Sequence, residues 1–184
     1  TTAPTVSNYS PAQGATGIAI GNNITLTFNE NIQAGTGNIT LTPDSGTTLT
    51  IPISDSQITI SGTTLTINPT NNLVENITYT VTMPSGIVKD SSNNNSFLGI
   101  SGNTYQFTTL DSTAPSITSH TPSQNSVNQS ITVSIVLNFD ETTSATAGKN
   151  MYISPHTTTN PTRSQKSISL TDTSQVTFSG TGTN

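Results

Sequence analysis

Apolar and polar residues alternate along most of this chain with a period of two. Ile24, Leu26 and Phe28 are separated by Thr25 and Thr27, and Ile39 and Leu41 by Thr40. Leu49, Ile51 and Ile53 follow the same rule, as do Ile58 with Ile60 and Leu65 with Ile67. The longest run is Ile77, Tyr79, Val81 and Met83, and Tyr105 with Phe107 closes the series. Successive side chains of a strand point to opposite faces, so this pattern predicts half-buried antiparallel strands. Thr suits the wet face because it is β-branched and carries a hydroxyl. Ser61-Gly62-Thr63 lies between two such runs and reads as a hairpin turn. No segment shows a helical period. Seven or eight short strands per unit, divided by frequent turns, predict a two-sheet sandwich. Which of the short runs between residues 47 and 67 belongs to which sheet stays open at this level.

The pattern is written twice. Thr2-Ala3-Pro4 returns as Thr113-Ala114-Pro115, and Pro11 as Pro122. At the same offset, Ile20, Ile24, Leu26, Phe28 and Glu30 return as Ile131, Ile135, Leu137, Phe139 and Glu141. After one inserted residue, the stretch from Asn38 to Pro43 matches that from Asn150 to Pro155. The stretch from Ser56 to Thr63 matches that from Ser174 to Thr181. Four matches in order make a repeat. The expected domains are residues 1–110 and 111–184, joined by a short linker that Pro115 stiffens. The second copy has no counterpart of the last third or so of the first. It is therefore expected to be incomplete, either as a fragment or as a sandwich that another segment completes.

Composition narrows the function. Only 7% of residues are charged, and Thr, Ser and Asn fill close to half the chain, so the surface is neutral and rich in hydroxyls. The net charge is −5, with four basic residues, Lys89, Lys149, Arg163 and Lys166. Nucleic acid and anionic membrane surfaces need a basic cluster and are excluded as partners. No apolar run approaches the length of a membrane helix. There is no cysteine, which removes thiol catalysis, zinc–thiolate sites and a disulfide-linked core.

Several of these residues together resemble the bacterial Ig-like domains of S-layer proteins and large surface adhesins. They are Thr2-Ala3-Pro4, the turn from Pro11 to Ala15, Phe28-Asn29-Glu30, the strand from Tyr79 to Thr82, the loop from Asp90 to Asn95 and the strand from Phe107 to Thr109. The first copy carries the whole set. In the second, the turn has drifted to Pro122-Ser-Gln-Asn-Ser126. The resemblance implies tandem immunoglobulin-like antiparallel sandwiches of Greek-key type and an extracellular or cell-surface location. It implies a structural spacer without catalysis, whose partners are other domains of the same protein or neighbouring copies. The alternatives are a module that binds cell-surface glycans and an accessory domain of a secreted enzyme.

Calcium is the candidate cofactor, because it takes oxygen ligands from carboxylates and carbonyls, and such surface arrays are stiffened by it. Asp111 lies in the linker, and Asp140 and Glu141 end the second strand of the second copy. A meander returns that strand end to the pole where the domain began, so the three carboxylates are expected to converge. The matching pole of the first copy holds Glu30 and the loop with Asp90, Asn93 and Asn94. That loop lacks the EF-hand spacing. Glycosylation sequons at Asn8, Asn23, Asn38, Asn76, Asn94 and Asn128 are about as many as the abundance of Ser and Thr generates unaided. His120 and His156 are the only histidines, no Gly-x-Ser-x-Gly elbow or phosphate loop occurs, and the sequence is read as no enzyme. Asp140 and Glu141 are adjacent, so a strand turns them to opposite faces and away from shared acid–base work. Outward Thr faces and Tyr152 are the features that sugar or ice recognition would use.

Overall fold

The computed structural model describes residues 2–92, 94–130, 132–154 and 164–179. All regular structure in them is β, as the period of two predicts. The chain separates into two compact units, Thr1–Ser112 and Thr113–Asn184.

The first unit is a two-sheet sandwich. One sheet contains β1 (Val6–Ser10), β3 (Ile24–Phe28), β8 (Thr64–Ile67) and β7 (Ile58–Ser61), in the order β1-β3-β8-β7. The other contains β2 (Ala15–Ile18), β11 (Gln106–Thr109), β9 (Thr78–Thr82), β5 (Asn38–Pro43) and β6 (Leu49–Pro52), in the order β2-β11-β9-β5-β6. A small third pair joins β4 (Ile32–Ala34) to β10 (Val88–Asp90). The unit thus holds more strands than the alternation alone predicts, because β2, β4 and β10 are too short to show a period. The ambiguous runs between residues 47 and 67 divide: β6 edges the five-stranded sheet, and β7 and β8 form a hairpin in the other. Ser61 pairs with Thr64, and Gly62 takes a φ of 58°, the sign that two-residue hairpin loops require.

The core is what the sequence alternation selects. Ile24, Leu26, Phe28, Ile39, Leu41, Leu65, Ile67, Val81, Tyr105 and Phe107 are all buried in one cluster. Their Thr neighbours form ladders outside, with Thr25 opposite Thr66, Thr27 opposite Thr64, and Thr40 between Thr50 and Thr82. Cross-strand Thr pairs of this kind stabilise a sheet modestly while keeping its face wet. One close backbone approach locks the rim: a Cβ at Gly35 would stand 1.9 Å from the Gly86 carbonyl oxygen, so only glycine fits there.

Two strand pairs of the first unit recur in the second, down to single hydrogen bonds, whereas residues 176–179, which match β7 in the sequence repeat, form no strand. Its β12 (Ile117–Thr121) pairs with β13 (Val136–Phe139) as β1 pairs with β3, each with one bulge after its first residue pair. Ser10-Pro11 and Thr121-Pro122 are both cis. Its β14 (Asn150–Ile153) pairs with β15 (Lys166–Ser169) in the register of β5 with β6. The N–H of Ile53 donates to the Gly37 carbonyl, and that of Leu170 donates to the Lys149 carbonyl. The turns that follow also correspond. Asp55 Oδ1 accepts the Gln57 N–H at 2.9 Å, and Asp172 Oδ1 accepts the Ser174 N–H at 3.0 Å. Both carboxyls are held below the usual aspartate range. In Asp55 the Gln57 backbone bond is the main cause, and in Asp172 the Ser174 side-chain bond. The matches at Ile131, Pro155, Gly180 and Thr181 lie outside the described residues.

Candidate functional site

The acidic residues singled out in the first unit have structural surroundings. Asp90 ends β10, and its residue is only 2% exposed, so it does not face solvent as a loop acid would. Its Oδ1 accepts the Ser92 N–H at 2.6 Å, and its carbonyl accepts both the Asn94 N–H and Gln33 Nε2. Gln33 Nε2 also reaches Asn94 Oδ1 at 2.9 Å. This is a side chain closing its own turn, the common use of Asp at a chain reversal. Glu30 is half-buried, and its Oε1 accepts no hydrogen bond. Asn93 lies outside the described residues.

Asp111 belongs to the first unit, whereas Asp140 and Glu141 belong to the second. Asp140 Oδ1 accepts the Ser116 N–H at 2.8 Å, as Asn29 Oδ1 accepts the Thr5 N–H at 2.8 Å in the first copy. Asp140 therefore holds the start of β12 to the end of β13. The repeat itself, which sets Asn29 against Asp140, is the sequence signal for this role. Among the described residues, no three His, Asp or Glu side chains come together in a group that could hold a metal ion.

The remaining polar candidates are explained locally. His120 stands where Tyr9 stands in the first copy, and its Nδ1 lies 2.8 Å from the Pro122 carbonyl. His156 lies outside the described residues. Among the sequon asparagines, Asn76, Asn94 and Asn128 have φ of 54°, 57° and 58°. Asn tolerates that left-handed region better than other side chains, which accounts for these three without any modification. Tyr152 is exposed, as its place in the alternation predicts.

The most perturbed group is a core tyrosine. The Tyr105 ring lies 4.4 Å from that of Tyr9 and 6.2 Å from that of Phe107, and its hydroxyl donates to the Pro11 carbonyl at 2.9 Å. Burial, and secondly the charge that Tyr9 would carry, push the Tyr105 hydroxyl well above its ordinary value of 10.0. Burial raises Tyr9 as well. A raised folded value means that the unfolded chain releases these protons first. Stability from this source is complete below pH 10.0 and falls as pH rises beyond it. Alkaline unfolding followed by circular dichroism is therefore expected to start near that pH, and Tyr105→Phe is expected to weaken the dependence. A dependence unchanged by that substitution would contradict the assignment.

No helix of the described residues is long and apolar enough to cross a membrane. No curated protein matches the chain. A family model described as the bacterial Ig-like domain matches residues 1–109, which is nearly the whole of the first unit. The sandwich, its alternating core and this match agree, and the chain belongs to the bacterial Ig-like domain family.

Proposed function

We propose that the chain is a non-catalytic spacer of a bacterial cell-surface protein of the S-layer or adhesin type. The observation that carries this reading is the pairing of two strands from near the opposite ends of the first unit's sequence. β2 lies near its beginning and β11 near its end, and the two run parallel, with Ala15 opposite Phe107 and Ile18 opposite Thr109. Tension applied through the two ends pulls parallel neighbours in opposite senses along their length. The bonds between them then share the load together instead of opening one by one. Gly14 N–H to the Gln106 carbonyl at 2.8 Å and Leu110 N–H to the Ile18 carbonyl at 2.7 Å extend the ladder at both ends. A neutral, Thr-covered surface and a core made without disulfides suit such a role outside the cell.

The competing reading is a glycan-binding module, and exposed Tyr152 is its best anchor. Passing the chain over an array of bacterial and host glycans separates the two. The spacer reading predicts no retained glycan at micromolar chain. Binding that Tyr152→Ala abolishes would replace it.

Calcium is a further proposal attached to the spacer. A cation that binds only the folded chain must raise its melting temperature. The proposal requires a rise of several degrees in millimolar calcium over a chelator, lost when Asp111 and Glu141 are replaced by Ala. An unchanged melting temperature removes calcium and leaves a spacer stiffened by packing.

A further inference from the structure

The outward face of the first unit's five-stranded sheet changes character along its strands. At one end its polar side chains bond to each other: the Thr78 and Thr108 hydroxyls lie 3.0 Å apart, and Gln106 Nε2 donates to Thr80 Oγ1 at 2.8 Å. At the other end Thr40 of β5 stands opposite Thr82 of β9, and Asn38 shares their face two residues before Thr40. Asn38, Thr40 and Thr82 make no side-chain hydrogen bond among the described residues, and neither does the hydroxyl of Ser101. All four line an open groove of about 510 Å³, whose apolar part comes from Met83, Pro84 and Ile100. The groove is held in shape from behind. Met83 and Ile100 exchange two backbone bonds of 2.9 Å, and the Thr104 hydroxyl donates to the Ser101 carbonyl at 2.7 Å. Its volume is in the range of small-molecule sites, and all of it lies within the first unit.

The lining decides the ligand class. It holds no charged residue, so a phosphate or carboxylate finds no counter-charge there, and an amine finds no carboxylate. A purely apolar molecule would strip water from four polar side chains and offer no bond in return, which costs free energy. A matching ligand carries hydroxyls on one side and C–H surface on another, without net charge. We infer that the groove is a binding site for one or two rings of a neutral saccharide. Asn38, Thr40, Thr82 and Ser101 bond its hydroxyls, and Pro84 lies against its C–H face. Four bonds in an open site leave much of the ligand in water, so the affinity is in the millimolar range. A spacer with such a site still retains no glycan at micromolar concentration, and the inference stands or falls independently of the spacer reading.

The test titrates the full chain with cellobiose and N,N′-diacetylchitobiose as neutral probes and with sialyllactose as an anionic one, followed by amide NMR. Saturable shifts at Thr40, Thr82 and residues 100–102 with at least one neutral probe are expected. Thr82→Val keeps a β-branched strand residue and removes one hydroxyl. It is expected to weaken that binding by roughly three- to tenfold, the worth of one hydrogen bond. Thr66→Val, on the outward face of the other sheet, leaves the binding unchanged. An unaltered spectrum away from the substituted residue shows that each variant is folded. No shift at the groove amides with either neutral probe, up to tens of millimolar, overturns the inference. Binding that Thr82→Val leaves intact overturns it by placing the ligand elsewhere, and tighter binding of sialyllactose overturns it by making the ligand an anion.

Discussion

Tyr105→Ala is expected to destabilise the first unit by about 3–5 kcal/mol, the range for removing a large buried aromatic. Domains of this size are stable by only about 5–15 kcal/mol, so the variant approaches unfolding. Three losses combine. The ring is fully buried and leaves a cavity between the two sheets. Its contacts with Tyr9 and Phe107 disappear. The Pro11 carbonyl loses its donor. Tyr105→Phe keeps the first two contributions and loses only the last, for about 1–3 kcal/mol. Urea denaturation of both variants separates packing from hydrogen bonding. Equal losses would mean that the bond to Pro11 dominates and that the core account of this residue is wrong.

Leu41→Ala and Ile153→Ala form the second test, because these residues occupy equivalent positions in the two copies. Leu41 is 0% exposed, and its loss is expected to cost about 2–5 kcal/mol. Ile153 is 40% exposed and has little cavity to leave, so its loss is expected to cost less than about 1 kcal/mol. Residue-resolved hydrogen exchange in increasing urea assigns each loss to its own unit. Equal costs at the two positions would show that the second copy is as closed as the first.

Much of this was legible in the residues. The run Ile24-Thr-Leu-Thr-Phe28 predicts a strand, its buried face and its wet face, and all three are present in β3. The sequence repeat predicts pairings as well as strands, since β12 and β13 reproduce even the bulge of β1 and β3. Other features were not legible. β2 reads Ala-Thr-Gly-Ile, with no apolar alternation, and it is placed by its parallel partner β11 at the far end of the same unit. Three-residue strands such as β10 are too short to show which face is buried, so Asp90 reads as a loop acid although it points inward. Carboxylates that hold their own backbone, as Asp90 and Asp140 do, look the same in sequence as carboxylates free for a metal. A bond partner, unlike a period, is not written in the residue itself.

The most direct test of the spacer account is to stretch the full chain by its two ends in a single-molecule force instrument. The account predicts one abrupt rupture of the first unit, releasing roughly 35 nm of chain, the extended length of its residues less its folded span. Leu110→Pro deletes the N–H that bonds to Ile18 at the end of the parallel ladder, and it is expected to lower the rupture force. Gradual extension without a discrete event, or a force indifferent to Leu110→Pro, would contradict the claim that this fold is built to bear tension.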